Sequence, residues 1–128
     1  MENVSSKKKQ VVRIPVPDLP DFKVKNNSFT KRRGAPVLFA ILCAECGSYL
    51  MTYQKDGPGP LLRCYLDRIH HPSSLEQRQY EPFHKKTAAK LDCFACKALI
   101  GTPYMYAKGQ EERPAYSLQQ GSFSMQKV

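Results

Sequence analysis

The sequence predicts a small, mainly β domain in which two antiparallel sheets are pinned by one zinc ion, preceded by a disordered basic leader. Two observations support this prediction. Short segments rich in β-branched and aromatic residues, separated by glycine- and proline-containing turns, recur from residue 35 to residue 128. Four of the five cysteines also form two matched pairs, with two residues between the paired thiols.

The cysteine pairs, Cys43-Ala44-Glu45-Cys46 and Cys93-Phe94-Ala95-Cys96, predict one structural tetrathiolate zinc site. Two intervening residues let a tight turn direct both sulfurs at one point, and two such turns complete the tetrahedron that Zn²⁺ prefers. A thioredoxin-like redox pair and a disulfide framework are the competing interpretations. Redox chemistry needs only one pair, and no secretory signal opens the sequence. We therefore predict Cys43, Cys46, Cys93 and Cys96 as the zinc ligands.

The first 34 residues are predicted to form a flexible, proline-containing leader, and residues 35–128 the folded zinc-binding domain. Much of the net charge of +9 belongs to the leader, because residues 1–36 carry nine Lys and Arg against three Asp and Glu. Such an arm can contact a protein partner or the phosphates of a nucleic acid, or serve only as a solvated tail. The residues expected to make these contacts are Lys7, Lys8, Lys9, Lys31, Arg32 and Arg33.

The longest apolar run, at residues 35–42, is far shorter than the roughly 20 residues that a membrane span needs. We therefore expect an intracellular, cytoplasmic protein with no membrane partner. In a eukaryotic protein the basic runs would be typical of a weak nuclear-import signal.

Residues 11–20, in which three prolines block both helix and central strand, are expected to lie extended along the body. The apolar run Val37–Leu42 predicts a buried strand that delivers Cys43, and Gly47 helps the backbone turn about the metal. Tyr49–Gln54 predicts a second strand, which ends at the turn-forming segment Lys55–Pro60.

The segment Leu61–Ile69 fits both a helical stripe and a strand alternation, and we predict a strand. Residues 70–90 are expected to form a surface excursion in which Ser74 caps a short helix. The rest of the chain is predicted to form strands, the clearest at Pro103–Lys108, Ala115–Leu118 and Phe123–Met125.

The second pair and its sequel, Cys93-x-x-Cys96 with Gly101-x-x-Tyr104, resemble the Yippee family. The first pair, with Gly47 and the Gly57-Pro58-Gly59-Pro60 turn, is similar to the first zinc knuckle of methionine sulfoxide reductase B. Together with the thalidomide-binding domain of cereblon, these families share the β-tent, two small antiparallel sheets pinned by one zinc. The resemblance covers about residues 36–126, and it implies a β-tent or zinc-ribbon-like fold.

The sequence departs from these families at their active positions. The reductase needs a nucleophilic cysteine downstream of its second pair, and Cys96 is the last cysteine here. The cereblon pocket is a cage of tryptophans, and this chain has none. The resemblance therefore implies metal binding at the four paired cysteines and no catalytic residue.

Cys64 is the one cysteine outside the pairs. It is expected either to be a small buried hydrophobic residue or to be a reactive thiol whose pKa is lowered by Arg63 or Arg68. His70, His71 and His84 have no carboxylate partner at a recognised spacing and are expected at the surface. Tyr104 and Tyr106, beside Lys108, either form a stacking platform for single-stranded nucleic acid or fill the core.

These observations favour a non-enzymatic structural-zinc module that mediates a macromolecular interaction, because a closed tetrathiolate has no open coordination position. The first alternative is a nucleic-acid-binding protein, for example one associated with ribosomes, that uses the basic leader. The second alternative is a thiol-based redox protein that uses Cys64.

Overall fold

The computed structural model describes residues 12–18, 24–25, 33–84 and 87–128. Within these ranges, no helix is long and apolar enough to cross a membrane. One helical turn, α1 (Ser73–Glu76), and two 3₁₀ turns (Leu66–Arg68 and Gln77–Tyr80) accompany the strands. The strands are β1 (Pro36–Cys43), β2 (Tyr49–Asp56), β3 (Arg63–Tyr65), β4 (Ile69–His71), β5 (Leu91–Asp92), β6 (Leu99–Lys108), β7 (Glu111–Leu118) and β8 (Phe123–Lys127).

The strands form two antiparallel four-stranded sheets, so the predicted fold class is confirmed. The first sheet has the order β4-β2-β1-β8, and the second has the order β3-β7-β6-β5. Each sheet is built on one long hairpin. In the first sheet β1 pairs with β2 from Pro36 opposite Asp56 to Leu42 opposite Tyr49, and in the second β6 pairs with β7.

Both sheets contribute side chains to the apolar core. Strands of the first sheet contribute Ile41, Met51 and Ile69, all fully buried. Strands of the second contribute Ile100 and Tyr116, which are also buried. The predicted strands at Val37–Leu42 and Tyr49–Gln54 lie within β1 and β2, and every residue of Tyr49–Gln54 is buried.

The prediction of one strand at Leu61–Ile69 is wrong. The segment breaks at the 3₁₀ turn Leu66–Arg68, so that β3 joins the second sheet and β4 joins the first. Burial does not alternate through this segment, because Leu62 is exposed whereas the consecutive residues Cys64, Tyr65 and Leu66 are all buried. The chain thus crosses from one sheet to the other within a few residues, which a single-strand pattern does not reveal.

Two further expectations for the following segment need correction. His70 and His71 lie in β4 and pair with β2, so the strand reaches into the predicted surface excursion. The N-cap of α1 is Pro72 and makes no side-chain cap hydrogen bond, so Ser74 lies inside the turn and does not cap it.

Three short parts of the predicted leader contact the body. The backbone N–H of Ile14 donates to the Ser48 hydroxyl at 2.8 Å, and its carbonyl accepts from the Tyr49 N–H at 2.7 Å. Lys25 exchanges backbone hydrogen bonds with the Gln54 side chain. Arg33 forms an ion pair with Glu111 at 3.2 Å. The predicted contact residues Lys7, Lys8, Lys9, Lys31 and Arg32 lie outside the described residues.

Candidate metal centre

Each cysteine pair lies in a tight turn, and the two turns have the same backbone hydrogen bonds. In the first knuckle the Cys43 N–H donates to the Ser48 carbonyl at 2.8 Å, and the Gly47 N–H donates back to the Cys43 carbonyl at 2.8 Å. In the second knuckle the Cys93 N–H donates to the Ala98 carbonyl at 2.9 Å, and the Lys97 N–H donates to the Cys93 carbonyl at 2.9 Å. The knuckles are therefore copies of one structural unit.

The residue after each pair has a left-handed backbone conformation. Gly47 has a φ of +77° and Lys97 a φ of +68°. Glycine adopts this conformation readily, whereas a residue with a Cβ is disfavoured there by about 1–2 kcal/mol. Gly47 was predicted to help this turn, but the matching role of Lys97 could only have been found by aligning the two knuckles.

The knuckles bring the four sulfurs together from the two sheets. The first knuckle connects β1 to β2 in the first sheet, and the second connects β5 to β6 in the second sheet. The Sγ atoms of Cys43, Cys46, Cys93 and Cys96 all lie within 4.8 Å of one another. Two of these distances join the two knuckles, at 3.7 Å between the Cys43 and Cys96 sulfurs and 3.6 Å between the Cys46 and Cys93 sulfurs. This cluster can hold a metal ion and would then tie one sheet to the other.

The first thiol of each pair is buried and the second is partly exposed. Although burial acts to raise the pKa of the Cys46 thiol, hydrogen bonds with Ser48 outweigh it and lower this pKa to about 7. Burial raises the pKa of Cys96 to about 12 and also raises the pKa of Cys93. The raised pKa values mean that a metal ion must displace the protons of Cys93 and Cys96 when it binds.

Ser48 is a buried residue of the centre that the sequence analysis missed. It is fully buried, and its Oγ is hydrogen-bonded to Cys46 Sγ at 3.2 Å. The same Oγ accepts the Ile14 N–H, so the leader segment at residues 12–18 is connected to Cys46 of the cluster through one hydroxyl. Partners of this kind orient metal ligands. A serine two residues after a ligand is common, so the sequence carries no specific signal for this role.

Cys64 does not belong to the cluster. Its side chain is fully buried within the core, and burial raises the pKa of its thiol. The two arginines expected to lower that pKa bind elsewhere, because Arg63 donates to the Tyr104 hydroxyl and Arg68 to Asp56. The geometry supports the buried hydrophobic interpretation and provides no basis for a reactive thiol.

The histidines and tyrosines singled out from the sequence also lie away from the four sulfurs. His70 and His71 are half-buried and hydrogen-bonded to Gln54 and Tyr49, whereas His84 is exposed. Tyr106 lies edge-on to Tyr65, and the Arg63 guanidinium carbon is 4.8 Å from its ring centroid. Lys108 is exposed at the end of β6. One face of the Tyr106 ring, on which a nucleic-acid base would stack, is thus in contact with an arginine of the same chain.

The chain was compared with known families, curated proteins and solved structures, and no family model, curated protein or solved structure matches it.

Proposed function

We propose that this chain is a non-enzymatic structural-zinc module. The observation that supports zinc is the spacing of the sulfurs. A Zn–S bond of about 2.3 Å implies an edge of about 3.8 Å in a regular tetrahedron. Two sulfur pairs that join the knuckles, at 3.7 and 3.6 Å, are near this value, and all four sulfurs lie within 4.8 Å of one another. Four thiolates in a tetrahedron are the ligand set typical of structural Zn²⁺.

Zinc in this position would stabilise the fold. Each knuckle supplies only half of the ligands, so the ion would hold the two knuckles together. Structural Zn²⁺ contributes an apparent ~10–16 kcal/mol in small domains at neutral pH. The free thiols of all five cysteines are in keeping with a reducing, intracellular compartment, which we include in the proposal.

The test is metal content, measured by mass spectrometry of the purified chain and of single-cysteine variants. One zinc per chain is expected for the parent and for Cys64→Ala, the matched control from outside the cluster. Cys46→Ser and Cys93→Ser should each lose most of the zinc, because they remove one ligand from each knuckle. Equal zinc content in all four proteins would contradict the proposal.

The second part of the proposal is that the module mediates a macromolecular interaction through its basic leader, contacting a protein or a nucleic acid. Support comes from the charge of the leader, since residues 1–36 hold nine cations. Arg33 is already paired with Glu111, so the cations expected to engage a partner are Lys7, Lys8, Lys9, Lys31 and Arg32. Membership of a Yippee-like, β-tent family is also part of the proposal, supported by the two antiparallel sheets and the four clustered cysteines.

A salt titration separates the two kinds of partner. If the partner is a nucleic acid, binding of a single-stranded oligonucleotide should weaken steeply with salt, by a slope of about 0.7 per phosphate contacted. Substituting Lys7, Lys8 and Lys9 with Gln should reduce that slope, whereas Lys127→Gln, which removes an exposed charge at the end of β8, should not. Binding that is absent at low salt, or a slope that the lysine substitutions leave unchanged, would exclude a nucleic-acid partner for the leader.

A further inference from the structure

A cavity lies near the end of β2 that is remote from the candidate metal centre. Its volume is about 170 Å³. Tyr53–Asp56 of β2 form one wall, and Arg63 and Tyr65 of β3 form another, so both sheets contribute to it. Sites for drug-sized ligands typically occupy about 300–1,000 Å³. The cavity is therefore of a size to enclose one small chemical group.

The charged lining of this cavity is mostly positive. Arg33, Lys55, Arg63 and Arg68 line it, and Asp56 is the carboxylate among the lining residues. Arg68 is paired with Asp56 at 2.7 Å, which leaves three cations in excess. Glu111 offsets part of the charge of Arg33 from outside the lining. An excess of positive charge in a concave site with low-dielectric walls attracts anions.

Arg33 carries a buried donor that no atom of the described residues satisfies. Its Nη2 donates to the Tyr65 hydroxyl at 3.3 Å and to Glu111 at 3.2 Å. Its Nη1 is buried and, in the described part of the chain, has no hydrogen-bond partner. A buried guanidinium nitrogen without an acceptor costs free energy, so such groups in native proteins are uncommon and call for an explanation.

Further donors are held close to this one. The Tyr65 hydroxyl accepts from both Arg33 and Arg63, the latter at 3.4 Å, which brings the two guanidinium groups together. Both bonds are long for hydrogen bonds between nitrogen and oxygen. Lys55 Nζ donates to the Gly57 carbonyl, and burial lowers the pKa of its ammonium group. An anion in the cavity would lie beside these three cations and reduce the repulsion between them.

We propose that this cavity binds the phosphate group of a small phosphate monoester. Guanidinium groups match the geometry of phosphate oxygens, and a phosphate monoester is close to a dianion at pH 7. The cavity also has an apolar side formed by Pro58, Pro60 and Leu61, which would contact the organic part of the ester. The site is distinct from the four cysteines and does not depend on what the leader binds.

The experiment titrates the zinc-loaded full chain at pH 7.5 with phenyl phosphate, inorganic phosphate and benzoate in turn. Binding is measured by calorimetry and by backbone amide NMR. Phenyl phosphate should bind saturably with a Kd below about 1 mM. It should bind more tightly than inorganic phosphate, because of the apolar side, and more tightly than benzoate, because of the second negative charge. The amide shifts should be centred on residues 53–65.

Two variants and one control locate the site. Arg33→Gln and Arg63→Gln should each weaken phenyl phosphate binding about tenfold or more, since each removes a charge-assisted hydrogen bond. Lys90→Gln removes an exposed charge elsewhere and should leave the affinity unchanged. Arg63 lies on an edge strand, so its variant provides the test even if Arg33→Gln fails to fold.

Three results would overturn the proposal. The first is no saturable binding of phenyl phosphate below about 10 mM. The second is benzoate or inorganic phosphate binding as tightly as phenyl phosphate, which would exclude a phosphate monoester as the preferred ligand. The third is equal loss of affinity in Lys90→Gln and the two arginine variants, which would show general attraction to a basic protein.

Discussion

Lys97 has the backbone conformation that its turn requires, and this conformation lowers the stability of the chain. It occupies the position that Gly47 fills in the other knuckle, with almost the same positive φ. The matched hydrogen bonds of the two turns hold it there. The surrounding structure therefore imposes a conformation that lysine disfavours by about 1–2 kcal/mol.

Lys97→Gly should consequently stabilise the chain relative to Lys97→Gln by about 1 kcal/mol. Both variants lose the same charge, so their difference reports the backbone alone. Thermal unfolding of the two zinc-loaded variants measures it, and a difference of about 3–5 °C is expected at this size. A Gln variant as stable as the Gly variant would show that the left-handed conformation carries no cost here.

Cys64 is the residue for which sequence alone left two roles open. The neighbouring arginines made a low thiol pKa plausible, but their side chains bind Tyr104 and Asp56, and the thiol lies in the core. Charge along a sequence does not determine which face of a strand a side chain occupies, or what it binds there. That information comes only from the packed sheets.

Alkylation of the zinc-loaded chain with iodoacetamide at pH 7 should therefore leave Cys64 at least about 100-fold less reactive than a free model thiol. Burial and the raised pKa both act in this direction. In denaturant the same residue should react at the rate of the model thiol, which serves as the control. Native-state modification as fast as in denaturant would restore the redox alternative.

At the level of elements, the paired knuckles and the long hairpins could be predicted, and the crossover between sheets could not. Apolar alternation and cysteine spacing are local signals, so β1, β2 and the knuckles follow from them. The break at Leu66–Arg68 depends on Arg68, a fully buried cation whose partner, Asp56, is at the end of β2. The local pattern of apolar and polar residues does not reveal a long-range ion pair of this kind.

The Arg68–Asp56 pair should hold this crossover in place. Its partners are 1% and 4% exposed, and their N–O distance is 2.7 Å. Arg68→Met alone should destabilise the zinc-loaded chain by about 3–5 kcal/mol in urea unfolding, because it leaves a buried carboxylate without its cation. The double variant Arg68→Met with Asp56→Leu should recover much of that loss. Losses that simply add would contradict this coupling.

Ion pairs across the molecule also determine how stability changes with pH. Burial acts to raise the pKa of Glu111, but hydrogen bonds from Arg113 and Arg33 outweigh it and hold this pKa below its usual 4.5. The stabilising contribution is therefore fully present above about pH 4.5 and is lost as the pH falls through the lower, folded-state value.

Glu111→Gln should reduce the free energy of unfolding at pH 7 by roughly 1–3 kcal/mol. It should also make the decline between pH 5 and pH 3 shallower than in the parent, since one titrating group is missing. Urea unfolding across this range, with Glu112→Gln at the exposed neighbouring position as the control, measures both effects. A decline as steep as that of the parent would show that Glu111 makes no such contribution.

For the whole molecule, the sequence predicted the class of fold and the four clustered cysteines because both arise from strong, local patterns. It did not reveal the cavity beside Arg33. That site combines residues from the end of the leader, the end of β2 and the start of β3, which only the folded arrangement brings together.

The central claim is that one zinc ion holds the two sheets together, and zinc removal tests it most directly. The zinc-loaded chain is treated with a strong chelator, and far-ultraviolet circular dichroism is followed through a thermal scan. We predict one zinc per chain before treatment, and loss of both the β spectrum and the cooperative transition afterwards, with recovery when zinc is restored. A metal-free chain that keeps its spectrum and its transition would contradict the account.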